Sequence, residues 1–169
     1  SILRNWTVGE LGTMAASTGI IAEFLASNPE IQNALRDHPE DLPLAIDEIL
    51  RINTPLLANR RVTTEPVELR GRKINAGERV TIFWAAANRD SEVFGDPDRY
   101  DPATNAPNNV LYGRGIHDCP GAPLARLELL VFAQELLAGT TSIRLSDDRE
   151  PDFAAYPAGG FNTLRLKFT

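Results

Sequence analysis

Positions able to face a core recur every three to four residues over 7–26, at Leu11, Met14, Ala15, Thr18, Ile21, Ala22 and Leu25. That period predicts a helix with one buried face. Asn28-Pro29 ends it and opens a short second helix, with Asn28 as its cap and Pro29 in its first turn. A third helix is predicted over 41–51, broken by Asn53-Thr54-Pro55. The pattern then changes to short extended runs. Residues 61–64, 67–69 and 79–84 predict strands, with turns at Arg70-Gly71 and Ala76-Gly77. Residues 88–115, rich in Pro, Asn, Asp and Gly, predict a long irregular stretch of the kind that usually carries function. Residues 120–138 predict a helix with Pro120 in its first turn and Gly139 at its end. Two further strands are predicted at 142–145 and 163–168, with a turn or hairpin tip at Tyr156-Pro157-Ala158-Gly159-Gly160-Phe161 between them. The expected fold class is mainly α with small β-sheets.

Composition narrows the possibilities. The chain has 169 residues, 43% of them hydrophobic, which is enough for one domain with a substantial core. A net charge of −6 argues against a general binder of nucleic acid or anionic membranes. Basic charge is almost all arginine, Lys73 and Lys167 being the two lysines, which suits bidentate pairing with carboxylates. No apolar run reaches the ~18 residues of a membrane span, and no signal-peptide pattern opens the chain. A single cysteine, Cys119, forms no internal disulfide and fits a reducing compartment, so a cytoplasmic location is expected.

Cys119 sits in the most informative segment, Tyr112-Gly113-Arg114-Gly115-Ile116-His117-Asp118-Cys119-Pro120-Gly121. A cysteine just before a helix faces unpaired backbone N–H groups and the positive end of the helix dipole, and both stabilise a thiolate. A thiolate is the form that binds a metal. Gly113, Gly115 and Gly121 remove side chains where a flat, bulky group needs close backbone approach. Arg114 and His117 add donors on the same loop. The same residues also fit a buried free cysteine with the glycines serving only as turns. Zinc is a poor alternative, because one Cys with the distant His38 and His117 lacks the usual paired-ligand spacing. A catalytic Cys–His pair is a further alternative, although hydrolytic cysteine enzymes usually bring their His from elsewhere in the chain.

The loop resembles the haem-binding signature of the cytochrome P450 monooxygenases, Phe-x-x-Gly-x-x-x-Cys-x-Gly, with Tyr112 where Phe is usual. The following Ala122-Pro123-Leu124-Ala125-Arg126-Leu127-Glu128 resembles soluble bacterial members. Glu48-Ile49-Leu50-Arg51 looks like the Glu-x-x-Arg of the family's K helix, and Pro97-Asp98-Arg99-Tyr100 like its later Pro-x-Arg-Phe segment. The three motifs stand in the family's order and spacing. The resemblance implies haem b with Cys119 as the axial ligand to iron, framed by Tyr112, Gly113 and Gly121. It implies that Glu48, Arg51 and Arg99 form a buried structural network. It places Arg61 and His117 as partners of the haem propionates, with Arg60 competing with Arg61 and Arg114 a further candidate for the haem edge.

By the same resemblance, the first helix is the C-terminal part of the family's I helix. Gly9-Glu10-Leu11-Gly12-Thr13 falls at the oxygen-activating segment, with Thr13 as the residue that helps deliver protons. The acid normally just before it is replaced by Gly12, and Glu10 is the candidate substitute. Thr7-x-x-Glu10 also reads as a capping box. Leu56, Leu57 and Ala58, with Gly159 and Phe161, match regions that line the substrate pocket. The implied fold is the C-terminal haem-binding portion of the cytochrome P450 fold: the end of the I helix, the K helix, the Cys loop and the L helix. The implied activity is a haem-thiolate monooxygenase acting on a small apolar substrate, fed with electrons by a ferredoxin or flavoprotein reductase. The alternatives are a non-catalytic haem-binding fragment, or peroxygenase or isomerase chemistry on the same haem. The chain is less than half the length of a usual member. Residues 1–169 are therefore expected to be a partial domain that lacks its N-terminal part, paired in one version with a separate N-terminal fragment. No nucleic-acid or membrane partner is expected.

Overall fold

The computed structural model describes residues 7–169, without the side chains of Val8 and Glu10. Helical backbone runs from Thr7 to Ser27, as the apolar period requires. It divides into a π-helical turn, Val8–Thr13, and an α-helix α1, Met14–Ser27. Thr7 already has helical dihedrals (φ −57°, ψ −43°) instead of the extended ones of a capping residue. Helix α2 spans Pro29–Asp37 and α3 spans Leu42–Ile52, joined by a 3₁₀ turn at Pro39–Asp41. The Asn28 side chain does not cap α2. Its Nδ2 donates to the Phe24 carbonyl at 2.8 Å and so closes the end of α1.

Strand β1, Ala58–Val62, starts three residues before the predicted position and pairs antiparallel with β4, Arg79–Phe83. Between them β2, Val67–Leu69, and β3, Arg72–Ile74, form a hairpin whose turn needs positive φ at Arg70 (46°) and Gly71 (78°). The predicted strand at 79–84 gives way at Trp84 to a one-turn helix α4, Trp84–Ala87. The irregular stretch that follows is punctuated by the single turns α5, Ser91–Phe94, and α6, Pro102–Asn105. Helix α7, Ala122–Ala138, begins two residues later than predicted, because Pro120 and Gly121 form a turn. Near the C-terminus β5, Ile143–Leu145, pairs with β8, Leu166–Phe168, and β6, Asp152–Phe153, with β7, Phe161–Thr163.

The core lies where α1, α3 and α7 meet. Leu129, Ala133 and Leu137 recur every four residues on one face of α7 and are buried. They pack with Ile21 and Leu25 of α1 and Ile46, Ile49 and Leu50 of α3 in one cluster. Burial of each such Leu or Ile side chain stabilises the fold by about 1.5–3 kcal/mol. Buried Gln32 knits α1, α2 and β5 together. Its amide donates to the carbonyls of Leu25 (2.8 Å) and Ile143 (3.0 Å) and accepts from the Ile143 N–H (3.0 Å). Among the described residues, no helix is long and apolar enough to cross a membrane.

Candidate functional site

The segment before α7 folds back on itself. The Cys119 N–H donates to the Tyr112 carbonyl at 2.8 Å, and the Cys119 carbonyl accepts from the Ala122 N–H at 3.2 Å. Between them Gly113 (φ 82°) and Gly115 (φ 81°) hold left-handed turns, and a Cβ on Gly113 would press against the His117 carbonyl at 3.3 Å. A Cβ on Gly121 would stand 3.8 Å from the Cys119 sulfur. The thiol is therefore exposed on a tight loop, three residues before the positive end of a 17-residue helix.

This loop forms one wall of a cavity of about 620 Å³, within the range of small-molecule and cofactor sites. The cavity brings together Thr13, Leu56, Arg61, Tyr112, Gly113, His117, Cys119 and Gly121. Thr13 lies on the π-helical turn and donates its hydroxyl to the Gly9 carbonyl, four residues back. Arg61 lines the cavity and Arg60 does not, since neighbouring strand residues point to opposite faces. Further polar lining comes from Ser17, Asn59 and Trp84, which sequence reasoning missed. The two-residue strand period counted back from Arg61 would have found Asn59.

Five of the predicted site residues lie off this wall. Arg114 is exposed and reaches the Pro107 carbonyl at 3.4 Å. Leu57 and Ala58 are absent from the lining, as are Gly159 and Phe161. Gly159 instead lets the C-terminal turn meet residues 54–57. Its N–H donates to the Pro55 carbonyl at 2.9 Å, the Leu57 N–H donates to the Pro157 carbonyl at 3.1 Å, and a Cβ on Gly159 would come within 2.0 Å of the Thr54 oxygen. Phe161 packs on Phe153, with ring centroids 5.1 Å apart. The Glu10 side chain lies outside the described residues.

A family model described as cytochrome P450 matches residues 21–152. The chain belongs to the cytochrome P450 family. It is 38% identical to cytochrome P450-terp of a Pseudomonas species over 165 residues, which cover 96% of this chain and 38% of that protein. It is also 38% identical to cytochrome P450 105A3 of Streptomyces carbophilus over 135 residues, or 79% of this chain and 33% of that one. Among solved structures, the P450 CYP109E1 of Bacillus megaterium in complex with corticosterone superposes with a TM-score of 0.90. It is 30% identical, over 96% of this chain and 44% of that one. The chain spans about a third of the length of the curated relatives it matches, 31–38%. The fold is accordingly the haem-binding portion of a P450. Members of the family hold haem by a cysteine thiolate, and this chain has one cysteine.

Behind the P450 Cys loop, Glu48 and Arg51 are fully buried on α3. Arg51 grips the carboxylate with Nε–Oε2 at 2.7 Å and Nη2–Oε1 at 3.0 Å. It also donates to the carbonyls of Asn88 (2.7 Å), Pro97 (3.1 Å) and Arg99 (3.4 Å). Glu48 Oε1 accepts from the Asp101 N–H (3.0 Å) and Asn105 Nδ2 (2.8 Å). Arg99 thus enters the network through its carbonyl. Its guanidinium is exposed and faces Asp101 at 3.8 Å, which corrects the expectation that Arg99 is buried with Glu48 and Arg51. Burial pushes the Glu48 carboxyl pKa up, but the Arg51 side chain, the Asp101 N–H and the Asn105 amide outweigh it and hold the value below the usual 4.5.

Proposed function

We propose that this chain is the haem-thiolate side of a P450 monooxygenase, with Cys119 as the axial ligand. The observation that carries this reading is the single cavity in which Cys119, Thr13, Arg61 and His117 meet. The donor set fits haem. A lone thiol stands at a helix start, Gly113 and Gly121 line the same cavity, and two cationic or N–H side chains are available for two propionates.

The chemistry the group supplies when bound is activation of dioxygen and transfer of an oxygen atom to an organic substrate, which a thiolate ligand favours by donating electron density. The chain's own residues serve that chemistry in distinct ways. Cys119 presents its sulfur on the loop three residues before the start of α7. Thr13 holds a proton on its hydroxyl, parked on the Gly9 carbonyl at the cavity wall. Met14, Leu50, Leu56 and Leu129 make the remaining wall apolar, in keeping with a small apolar substrate. Glu48 and Arg51 hold the loop's support and touch no reactant. A ferredoxin or flavoprotein reductase in the cytoplasm supplies the electrons in this reading, and residues 1–169 act as part of a larger P450 domain.

The test is direct. The full chain is loaded with haem, reduced and exposed to carbon monoxide, and a red-shifted, thiolate-type Soret band is expected. Cys119→Ser should abolish that band, and its survival in the variant would remove Cys119 from the role. Gly12, standing where an acid usually precedes Thr13, favours a second reading in which peroxide replaces dioxygen as the oxidant. Comparing turnover with peroxide against turnover with dioxygen and a reductase separates the two.

A further inference from the structure

The β2–β3 hairpin leaves the end of the β1–β4 ladder, and Thr63 ties the two together. Its N–H donates to the Glu78 carbonyl at 3.1 Å, and its hydroxyl donates to the Asn75 carbonyl at 2.5 Å. The unit over 60–79 carries six cations, Arg60, Arg61, Arg70, Arg72, Lys73 and Arg79, against the three acids Glu65, Glu68 and Glu78. It is a basic patch on a chain of net charge −6. Among the described residues the side chains of Arg60, Arg72, Lys73 and Arg79 have no ion pair or hydrogen bond, and Arg70 meets only Glu92, at 3.8 Å in solvent. Apolar side chains are interleaved with these cations. Val62 and Leu69 are each 59% exposed, and Val67 is exposed beside them. Leu69 lies next to Arg70 in the chain and directly opposite Arg72 in the ladder.

The hairpin turn is unusual in its first residue. Arg70 has φ 46°, and among the described residues it is the one non-glycine in the left-handed region. Asn or Gly takes that place in a two-residue hairpin turn at less cost. An ion pair as exposed as Arg70–Glu92 returns little to the fold.

We propose that this hairpin docks an acidic protein surface, with Arg70, Arg72 and Lys73 pairing its carboxylates around Leu69. Guanidinium groups pair carboxylates bidentately, and an exposed leucine rimmed by cations fits the apolar centre and polar rim of a protein interface. A flat anionic bilayer fits less well. It would draw the acidic remainder of the chain against its own charge, whereas a protein partner contacts the patch alone. The docking needs neither haem nor Cys119, so it stands apart from the function proposed above.

Binding is followed by the fluorescence anisotropy of a dye-labelled peptide of Glu and Asp around a central Leu, titrated with the full chain at low salt. The comparison probes are the same peptide with Lys in place of each acid, and vesicles of phosphatidylcholine with and without phosphatidylglycerol. The acidic peptide should bind, the basic one should not, and added salt should weaken the binding. Arg70→Asn should weaken it about threefold, and Arg72→Gln combined with Lys73→Gln about tenfold. Arg149→Gln, an exposed site outside the unit, should leave it unchanged. Asn suits the left-handed turn, so Arg70→Asn should melt no lower than the parent while it binds less, a split that a merely structural arginine would not give. Equal binding of the two peptides, equal losses in Arg149→Gln, or a lower melting temperature in Arg70→Asn overturns the proposal. So does vesicle binding that the hairpin variants lose while they keep the peptide.

Discussion

The Tyr112 ring lies beneath the Arg126 guanidinium, whose carbon is 4.4 Å from the ring centroid. Arg126 is itself fixed by Asp47 of α3, at 2.9 Å and 3.0 Å. The Tyr112 hydroxyl is buried and has no hydrogen-bond partner among the described residues. Burial raises its pKa above the ordinary tyrosine value, and Asp47 raises it further. The ring therefore contributes packing and the cation–π contact, while the oxygen contributes only a desolvation penalty. Tyr112→Phe should stabilise the protein by about 1 kcal/mol. Chemical denaturation checks this, and a lower midpoint would show that the hydroxyl has a partner. At the same scale, the strand period that turns Arg61 toward the cavity also turns Asn59 there, so its place was legible and its orientation was not. Its orientation comes from Trp84, 25 residues away, and no local pattern announces such a lock.

At the scale of elements, α3 and the irregular stretch after it behave as one unit. Removing the Glu48 carboxylate leaves the Arg51 charge buried without its counter-ion, so Glu48→Ala should cost about 3–5 kcal/mol and release haem with the fold. A well-folded, haem-loaded variant that only turns over slowly would contradict this. The same pair sets an acid limit. The folded-state Glu48 pKa is depressed, so its contribution is present above the unfolded value near 4.5 and is lost as pH falls through the folded value. Thermal melts between pH 7 and about 3 should show that loss in the parent protein and a flatter acid limb in Glu48→Gln. The Glu48–Arg51 spacing was legible, because residues three apart share a helix face. Arg99's part was not, because Arg51 collects carbonyl oxygens, which every residue type carries. Of the three main helices, α1 was legible from its apolar spacing, and α3 and α7 from the residues that bound them, Asn53-Thr54-Pro55 after α3 and Pro120 and Gly139 around α7. Strands β6 and β7, of two and three residues, are too short to alternate, and β1 reaches back to Ala58 only because β4 offers it a partner.

At the scale of the whole molecule, large apolar side chains stand in solvent on several faces. Leu11 is 68% exposed, Ile116 96% and Phe153 70%, and the stacked rings of Phe83 and Tyr156 are about half exposed. Surfaces of this kind promote association. The isolated 169-residue chain should therefore elute in size-exclusion chromatography above its monomer size of 18.6 kDa, with weak retention of haem absorbance. A monomer peak carrying stoichiometric haem would count against this picture.

The carbonyl grip of Arg51 also fixes where the chain can be cut. Arg99 presents an exposed side chain to trypsin, yet its own carbonyl, those of Pro97 and Asn88, and the Asp101 N–H are tied to buried α3. A protease needs several residues of free backbone, so cleavage after Arg99 waits for that whole unit to open. Among the described residues the β2–β3 hairpin pairs only with itself, and the Arg70 side chain is 92% exposed. Limited trypsin digestion should nick the hairpin near Arg70 and Arg72 first. Cuts after Arg99 should appear only at the rate of unfolding.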